Sequence, residues 1–374
     1  MAIHDVKLYP ENIAVIGGGR WARVLTEVLC GMVPSSATLS VHSAHNAKGM
    51  ETWALERGLD RRLTISALLP DFSPGSSSAV IVVNAARDHE DAVTWSIATG
   101  VPVLVEKPLT MNYNSALRLS NAARRQGTYL ATAHVFLFAG YLERFAKLVR
   151  DADAVRTISV RWMDPPAEQR YGEAKNYDPG LTIFADWLPH VVSIIGTLTD
   201  RQFQQCENLK VFRGGAELEL ELSFADLPCK VFLARNGDVR QRIVEVATRT
   251  EVLTLDFSCE PGTITSCPTT TCADPEWNLK ARPVARMLQA FLQGAAGGGY
   301  DGRLDSEIGV CGCKIIDEVA SLYRAALSPW VESRLRLPDY EDADLRYALT
   351  ELIHAEDPHS PVPIEQRIRL FRST

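Results

Sequence analysis

The sequence predicts an α/β protein with a parallel, doubly wound sheet in its N-terminal part and a mostly antiparallel sheet in its second part. Short apolar strands alternate with helical segments over the first third of the chain, which indicates βαβ units and a parallel sheet. From about Ala154 the pattern becomes strand-rich, and turn residues such as Asn236-Gly237 favour antiparallel pairing. The length of 374 residues suits two or three domains.

The elements of the first part follow from residue patterns that are local in the chain. A dense β-branched run at 79–83 indicates a strand buried on both faces, and Gly100 and Gly127 mark the ends of two helices. The predicted strands are residues 12–16, 38–42, 79–83, 102–105 and 129–133. The predicted helices are residues 21–32, 47–57, 90–99 and 114–126.

The second part is predicted as strands with helices before and after them. Alternating or β-branched segments predict strands at residues 157–162, 217–224, 229–235, 243–247 and 251–257. Helical patterns cover residues 182–196, 280–293 and 304–327, and residues 294–302 are expected to form a glycine-rich loop. Residues after about Ser328 are expected to form a polar tail.

Composition excludes several classes of protein. With 46% hydrophobic and 23% charged residues, the chain is neither disordered nor fibrous in character. No apolar run approaches the ~18 residues that cross a membrane, and a net charge of −7 without a Lys/Arg block disfavours nucleic acid as a partner. The first residues lack the pattern of a signal peptide, and the eight cysteines lack metal-site spacing, so we expect free thiols in the cytoplasm and no metal.

A glycine-rich turn follows the first strand. The residues Gly17-Gly18-Gly19-Arg20-Trp21-Ala22 form the pattern G-x-G-x-x-A and open a helix. Gly17 permits the tight turn, Gly19 lets the backbone approach a pyrophosphate, and Ala22 lets the helix pack near the sheet. The free N–H groups of the helix N-terminus then face the phosphates. The pattern predicts a dinucleotide site that also includes Arg20 and Trp21.

The end of the second strand bears on the choice of cofactor. NAD-specific sites usually place Asp or Glu there to bind the ribose 2′-hydroxyl, but no carboxylate occurs between Val41 and Met50. His42 and Ser43 would tolerate a 2′-phosphate instead. We therefore favour NADP(H) over NAD(H); the alternative is that the ribose contacts come from elsewhere in the chain.

A Glu-Lys pair follows the strand at 102–105. Ligands bind at the carboxyl ends of strands in open α/β sheets, and Glu106-Lys107-Pro108 lies at such an end. A lysine there can hydrogen-bond a substrate oxygen, and burial and Glu106 can tune it. The alternative is a solvated surface ion pair.

These motifs together resemble the Gfo/Idh/MocA oxidoreductases, over roughly residues 10–327. The resemblance is carried by the glycine loop, Asn84, His89 and Glu106-Lys107-Pro108, and it implies that all of these residues contact the cofactor. It implies an N-terminal Rossmann dinucleotide-binding domain (1–135) and a C-terminal α/β domain with a large, mostly antiparallel open sheet (136–330). It also implies NAD(P)-dependent hydride transfer at a sugar, cyclitol or related small molecule. Residues 331–374 would be a C-terminal extension.

A second family feature is the segment from Asp186 to His190. The two side chains are four residues apart and share one helix face. By resemblance, Lys107 orients the substrate oxygen and His190 donates or accepts the proton, since imidazole titrates near neutrality. Asp186 would bind a hydroxyl or tune the proton relay. The alternative for His190 is a core or capping residue.

The chain also departs from the family pattern. Asn84-Ala85 stands where the family often has Thr-Pro, the family's Arg after His134 is absent, and Ser193 replaces an Asp. The loss of polar groups indicates a substrate that is less hydroxylated than a free hexose. The further candidates for substrate contact are His134, Phe136, Tyr171, Lys175 and Tyr177. Core packing and a surface loop are the alternatives for the aromatic residues and the 171–177 segment.

Two other functions compete with hydride transfer at a C–O centre. One is an imine reductase of secondary metabolism, although Lys107 stands where thiazolinyl imine reductases have His. The other is a non-catalytic dinucleotide sensor, which would have no need of Lys107, Asp186 and His190 together. An exposed face of the second sheet would need burial, so a homodimer or homotetramer is expected.

Overall fold

The computed structural model describes residues 9–72, 76–170, 173–175, 181–277, 282–335, 343–356, 360 and 362–373. The chain divides into two compact units. The first unit is Met1–Glu143 with Glu276–Lys314, and the second is Arg144–Pro275 with Ile315–Thr374. This division differs from the continuous boundaries expected at 135 and 330, because residues 276–314, which follow the strands of the second sheet in the chain, belong to the first unit. Local patterning carries no signal of such a return.

The secondary structure follows the predicted order, with additional elements. The strands are β1 (Asn12–Ile16), β2 (Thr38–His42), β3 (Leu63–Ser66), β4 (Ser78–Val82), β5 (Val103–Glu106), β6 (Leu130–Ala133), β7 (Thr157–Met163), β8 (Glu168–Arg170), β9 (Glu173–Lys175), β10 (Phe203–Phe212), β11 (Glu217–Phe224), β12 (Leu227–Ala234), β13 (Gln241–Ala247), β14 (Val252–Asp256), β15 (Thr263–Ser266) and β16 (Thr269–Cys272). The α-helices are α1 (Arg20–Met32), α2 (Ala47–Glu56), α3 (His89–Thr99), α4 (Tyr113–Gln126), α5 (Gly140–Asp151), α6 (Ile183–Thr199), α7 (Pro283–Ala295), α8 (Ser306–Leu335), α9 (Ala343–Glu356) and α10 (Ile364–Ser373).

The first unit contains a six-stranded sheet in the order β3-β2-β1-β4-β5-β6. Every neighbouring pair of strands is parallel, so the predicted doubly wound sheet is confirmed. Val80, Val82, Val103 and Val105 lie in its buried core, as the β-branched run at 79–83 indicated. The short edge strand β3 escapes sequence prediction because its side chains are only partly buried and lack an apolar repeat.

The second unit contains an eight-stranded sheet in the order β10-β11-β12-β7-β13-β14-β15-β16. All neighbouring pairs are antiparallel except β12 with β7, which is parallel. The predicted mostly antiparallel sheet is therefore confirmed. Along β13 burial alternates, with Val244 and Val246 buried and Glu245 exposed. One face of this strand thus contributes to the core while the other carries charge.

The expected polar tail after Ser328 is wrong. Helix α8 continues to Leu335, and the helices α9 and α10 follow it. Leu345, Leu349 and Ile353 are buried, and their spacing of four residues places them on one helix face. The polar residues between them conceal this stripe in the sequence. The segment is therefore part of the second unit's core.

Three further expectations concern the described residues as a set. No described helix is both long and apolar enough to span a membrane. Among the described residues, no group of three or more His, Cys, Asp or Glu side chains could hold a metal ion. All eight cysteines lie in the described part of the chain and are free thiols.

Candidate active site

The glycine loop has the geometry that its sequence predicts. Gly17 has φ +151°, and a Cβ added there would lie 2.6 Å from the carbonyl oxygen of Val83. Only glycine therefore fits between the ends of β1 and β4. A Cβ added at Gly19 would meet no atom within 4 Å. The backbone at Gly19 thus borders open space, which leaves room for a ligand to approach it.

The N-terminus of α1 is suited to an anion. Gly19 is the N-cap, no side chain caps the helix, and its first turn contains no acidic residue. The first backbone N–H groups of a helix have no partner within the helix, and the helix dipole places partial positive charge there. Ala22 is buried behind this turn. The residues present therefore fit the pyrophosphate of a dinucleotide.

Trp21 and Glu106 contact each other, although the sequence assigned both to the cofactor. The indole Nε1 of Trp21 donates to Glu106 Oε1 at 2.6 Å, and the backbone N–H of Lys107 donates to Glu106 Oε2 at 3.2 Å. Glu106 is 9% exposed. Its carboxylate therefore joins the first turn of α1 to the residue that follows β5.

His42 does not present a cationic ring. Its Nδ1 lies 2.6 Å from the carbonyl oxygen of Leu68 and its Nε2 lies 2.8 Å from Ser40 Oγ. Burial lowers the pKa of His42, and the contact with Leu68 opposes this only in part. The idea that the His42 ring accommodates a 2′-phosphate is thus at odds with the structure. A sequence does not reveal that a histidine at a strand end turns inward.

After His42, the chain is buried at Ser43 and becomes exposed from Ala44. Ser43 is buried and its Oγ accepts a hydrogen bond from the Asn46 backbone at 3.2 Å. Asn46 Nδ2 in turn donates to the carbonyl oxygen of Gly18 at 2.7 Å. His45 and Lys48 are exposed. These two side chains are the positively chargeable groups that follow β2.

His89 connects two loops of the first unit. Its buried ring has Nδ1 2.7 Å from the Pro108 carbonyl oxygen and Nε2 3.3 Å from the Asn84 carbonyl oxygen. Burial lowers its pKa, so the neutral ring donates one hydrogen bond, and the shorter contact indicates Nδ1 as the donor. Asn84 donates through Nδ2 to the Asp88 carbonyl at 3.2 Å, while its buried Oδ1 has no hydrogen-bond partner. His89 thus supports the loops, and Asn84 retains a free acceptor.

Lys107 and His134 leave neighbouring strands at the same edge of the sheet. Glu106 pairs with Ala133 in the β5–β6 ladder, so the next residue of each strand emerges there. Lys107 is half-buried. His134 is 1% exposed, and neither ring nitrogen has a hydrogen-bond partner. Burial, with a smaller effect of the Lys107 charge, lowers the pKa of His134 to about 3.

The other candidates for substrate contact are Phe136, Tyr171, Lys175 and Tyr177. Phe136 lies half-buried in the 3₁₀ turn Val135–Phe138. Lys175 ends β9, but its side chain lies outside the described part. Tyr171 and Tyr177 lie outside the described residues altogether.

In the second unit, Asp186 and His190 lie one turn apart on α6, as predicted. The helix begins after Thr182, whose Oγ1 accepts from the Ala185 backbone at 3.4 Å. The His190 ring stacks on Trp162, with centroids 5.8 Å apart and planes 11° apart. The side chain of Asp186 is 20% exposed and accepts from Arg235 Nη2 at 3.3 Å. The carboxylate is thus held by a charge while part of it remains accessible.

Two buried arginines near α6 were missed by sequence reasoning. Arg242 lies over the Trp162 ring at 4.2 Å and forms an ion pair with Asp164. Arg235 lies 5.8 Å from the Trp187 ring centroid. A signal was available for Arg242, because its position in β13 has the same alternation phase as the buried Val244. Charged residues on a buried face are rare unless they are paired.

Residues 11–134 match the model of the GFO_IDH_MocA oxidoreductase family, which has an NAD-binding Rossmann fold. An inositol 2-dehydrogenase of Streptomyces avermitilis is 27% identical over 134 residues, which are 36% of this chain and 36% of that relative. One from an Arthrobacter species is 25% identical over 36% of this chain and 37% of the relative. The chain thus matches about a third of the length of these curated relatives.

Solved structures share the fold over a longer stretch. GenD2 from gentamicin A biosynthesis, in complex with NAD, is 20% identical with TM-score 0.65, covering 86% of this chain and 95% of that one. UDP-N-acetylglucosamine 3-dehydrogenase from Acidithiobacillus ferrooxidans is 17% identical with TM-score 0.62, covering 86% and 99%. A mutant of KijD10, a 3-ketoreductase from Actinomadura kijaniata, in complex with TDP-benzene and NADP, is 18% identical with TM-score 0.63, covering 83% and 97%. At these identities, the likeness shows the fold alone.

Proposed function

We propose that the protein is an NAD(P)-dependent dehydrogenase or reductase, because residues 11–134 match the model of an oxidoreductase family with an NAD-binding Rossmann fold. Its reaction would be hydride transfer at a carbon that bears oxygen in a sugar, a cyclitol or a similar small molecule. The observation that carries the proposal is the shared sheet edge of Lys107 and His134, in the unit that also contains the glycine loop.

The residues that would bind the dinucleotide lie in the first unit. The loop Gly17–Gly19 and the N-terminus of α1 would bind the pyrophosphate, since this turn combines free N–H groups with open space at Gly19. Asn84 Oδ1 is a buried acceptor without a partner and is available to a hydroxyl or amide of the cofactor. When bound, the nicotinamide would supply or accept the hydride.

Lys107 would bind the substrate oxygen. An ammonium group that donates to this oxygen stabilises the negative charge that develops on it as hydride moves. His134 would donate or accept a hydrogen bond beside it, because two buried ring nitrogens without partners are costly unless a ligand or water satisfies them. Its pKa of about 3 keeps the ring neutral near pH 7. A group with that pKa is a poor proton carrier at neutral pH, so its role is binding.

His190 would carry the proton, and Asp186 would assist it. Imidazole ordinarily titrates near neutral pH, which suits the transfer of a hydroxyl proton. Asp186 is partly exposed and lies one turn before His190 on α6, so its carboxylate can accept from a substrate hydroxyl. The Trp162 stack fixes the plane of the His190 ring, which would restrict the direction in which the ring exchanges a proton.

Of the two nicotinamide cofactors, we propose that the protein prefers NADP(H) over NAD(H). No carboxylate occurs between Val41 and Met50 to bind a ribose 2′-hydroxyl. His45 and Lys48 are exposed after β2 and can face a 2′-phosphate, a role for which the buried His42 is unsuited. We therefore assign the contact with the 2′-phosphate to His45 and Lys48 instead of His42.

The test combines binding with turnover. Purified protein is titrated with NADH and NADPH while nucleotide fluorescence is followed. It is then assayed with either oxidised cofactor on myo-inositol and UDP-N-acetylglucosamine, and with either reduced cofactor on a nucleotide-linked 3-keto sugar. Turnover that Lys107→Ala abolishes, with cofactor affinity retained, supports the proposal. Cofactor binding without turnover of any of these compounds would favour a sensor, and failure to bind either nucleotide would contradict the dinucleotide site.

We also propose that the protein forms a homodimer or homotetramer through the second sheet. The support is the one-sided burial of β13, whose open face carries the partly exposed Ile243 and Ala247. Light scattering at micromolar concentration tests this proposal, and a monomeric mass would contradict it.

A further inference from the structure

Helix α9, near the C-terminus, contacts the buried arginine that holds Asp186. Arg235 Nη1 donates to the hydroxyl of Tyr347 at 3.0 Å and lies 3.7 Å from Glu351 Oε1. Its Nη2 donates to Asp186 Oδ2 at 3.3 Å. Tyr347 and Glu351 are one turn apart on α9, and the Tyr347 hydroxyl donates to Glu351 Oε1 at 2.6 Å. One guanidinium therefore links α9 to the candidate substrate residue of α6.

Arg235 and Glu351 are buried, and the cluster sets one guanidinium against two carboxylates, with burial raising the pKa of Glu351. The side chains of Arg235 and Glu351 are 2% and 4% exposed. Tyr323 of α8 donates to the second oxygen of Glu351, so both carboxylate oxygens have donors. Burial by itself would lower the pKa of Arg235, but Tyr347, Asp186 and Glu351 raise it above its ordinary value. A buried charge with this many partners is costly to disturb.

We propose that Tyr347 and Glu351 of α9 are positioning residues for Asp186, acting through Arg235. Two nitrogens of the guanidinium contact different helices. Nη1 contacts Tyr347 and Glu351 of α9, and Nη2 donates to Asp186 of α6. If the α9 partners were removed, Arg235 would be free to turn and Asp186 would lose its fixed direction. The C-terminal segment is thus part of the substrate site of the second unit. The inference rests on the proposed role of Asp186 in binding or proton relay.

The turn Arg213–Gly215, between β10 and β11, packs closely against the start of α9. Gly214 has φ +60°, and a Cβ added there would collide with the Asp344 carbonyl oxygen at the start of α9. A Cβ at Gly215 would collide with the Tyr323 hydroxyl. Arg213 Nε lies 3.7 Å from Asp344 Oδ1. The turn therefore brings the backbone of α9 close enough for Tyr347 and Glu351 to reach Arg235.

The first arm of the test needs no substrate. Melting temperatures are measured for Asp186→Asn, Glu351→Gln and the double variant, and the cycle is repeated with Arg346→Gln in place of Glu351→Gln. Arg346 lies on the exposed side of α9 and pairs with Glu365, so it is a matched control. We expect the losses to be non-additive for Asp186 with Glu351 and additive for Asp186 with Arg346. Additive losses in both cycles would overturn the proposal, whatever the protein turns over.

The second arm measures kinetics with whichever of myo-inositol, UDP-N-acetylglucosamine or the 3-keto sugar nucleotide the wild type converts. Tyr347→Phe removes only the hydroxyl, and we expect kcat to fall about tenfold, as for the loss of ~1.4 kcal/mol at the transition state. The KM for the cofactor should stay unchanged. Glu351→Gln should retain more activity than Glu351→Ala, because the amide oxygen still accepts a hydrogen bond. Arg346→Gln should match the wild type.

The two arms separate the inference from the function on which it rests. Coupling in the stability cycle, with no turnover by the wild type, would contradict the proposed function and leave the link between α9 and Asp186 supported. Coupling with full activity in both Tyr347→Phe and Glu351→Ala would overturn the positioning role. Coupling together with the expected loss of kcat supports the whole proposal.

Discussion

The indole Nε1 of Trp21 donates a hydrogen bond of 2.6 Å to Oε1 of Glu106. The two residues are distant in the chain, but the parallel sheet brings the start of α1 beside the end of β5. Through this contact the glycine loop and Lys107 share one rigid support, since Glu106 also accepts from the Lys107 backbone. The loop that would bind phosphate and the residue that would bind substrate oxygen are therefore positioned together.

Trp21→Phe should weaken binding of NADPH. The change removes the donor to a buried carboxylate, and a hydrogen bond to a charged group contributes about 1.5–3 kcal/mol. We expect lower stability by about that amount and a Kd for NADPH raised about tenfold, measured by nucleotide fluorescence. Trp53→Phe is the control, because the Trp53 Nε1 is buried without a hydrogen-bond partner. Equal affinity in the two variants would show that the contact does not support the loop.

Ala44→Asp should shift cofactor preference towards NADH. A carboxylate after β2 can accept from a ribose 2′-hydroxyl and repels a 2′-phosphate. Conversely, Lys48→Gln should raise the Kd for NADPH several-fold and leave the Kd for NADH unchanged. The effect on NADPH is modest because salt screens the attraction between an exposed lysine and the 2′-phosphate. Arg57→Gln, at the other end of α2 and paired with Glu27, should change neither value. An unchanged NADPH to NADH ratio in Ala44→Asp would place the ribose elsewhere.

His134 should make the protein less stable as the pH falls from about 6.5 towards 3. Its pKa of about 3 in the folded chain lies below the unfolded value of 6.5, so the unfolded state binds the extra proton in this window. The free energy of unfolding therefore rises with pH there, by up to about 1.4 kcal/mol per pH unit from this group. Between pH 7 and pH 5, His134→Gln should lose about 2 kcal/mol less than the wild type in urea unfolding. The exposed His45, changed to Gln, is the control, and equal pH dependence in all three proteins would refute the assignment.

Gly214→Ala should loosen α9. A Cβ at φ +60° is strained, and here it also meets the backbone of Asp344, so we expect a loss of about 1–3 kcal/mol and faster amide exchange in α9. Gly58→Ala separates the two effects, because Gly58 has φ +68° with no atom within 4 Å of an added Cβ. If both variants lost the same stability and α9 exchange stayed slow, the collision would have no role.

The parallel sheet and its glycine loop were predictable because their signals are local. Gly17 and Gly19 stand between an apolar strand and a helix, and Gly100 and Gly127 end their helices with φ of 71° and 68°. Lys107 at the end of β5 and the shared face of Asp186 and His190 follow from strand order and helix periodicity alone. These features depend on residues that are near one another in the chain.

The parts that could not be predicted depend on contacts between distant segments. The inward turn of His42 towards Leu68, the return of residues 276–314 to the first unit, and the burial of α9 have no local signature. The same holds for the contacts of Arg235 with Tyr347 and Glu351, which lie more than a hundred residues beyond it.

By itself, the sequence determined the fold class and the dinucleotide loop, because hydrophobic periodicity and glycine conformation act over a few residues, and its resemblance to a family supplied the candidate groups for chemistry. Only the tertiary structure decided which of these groups keep a hydrogen-bonding atom without a partner and which use that atom in a hydrogen bond within the protein. His134 and Asn84 retain such atoms, whereas Trp21, His42 and His89 use theirs internally. The physical reason is that a buried polar atom must find a partner, and that partner comes from whichever distant segment the fold brings alongside.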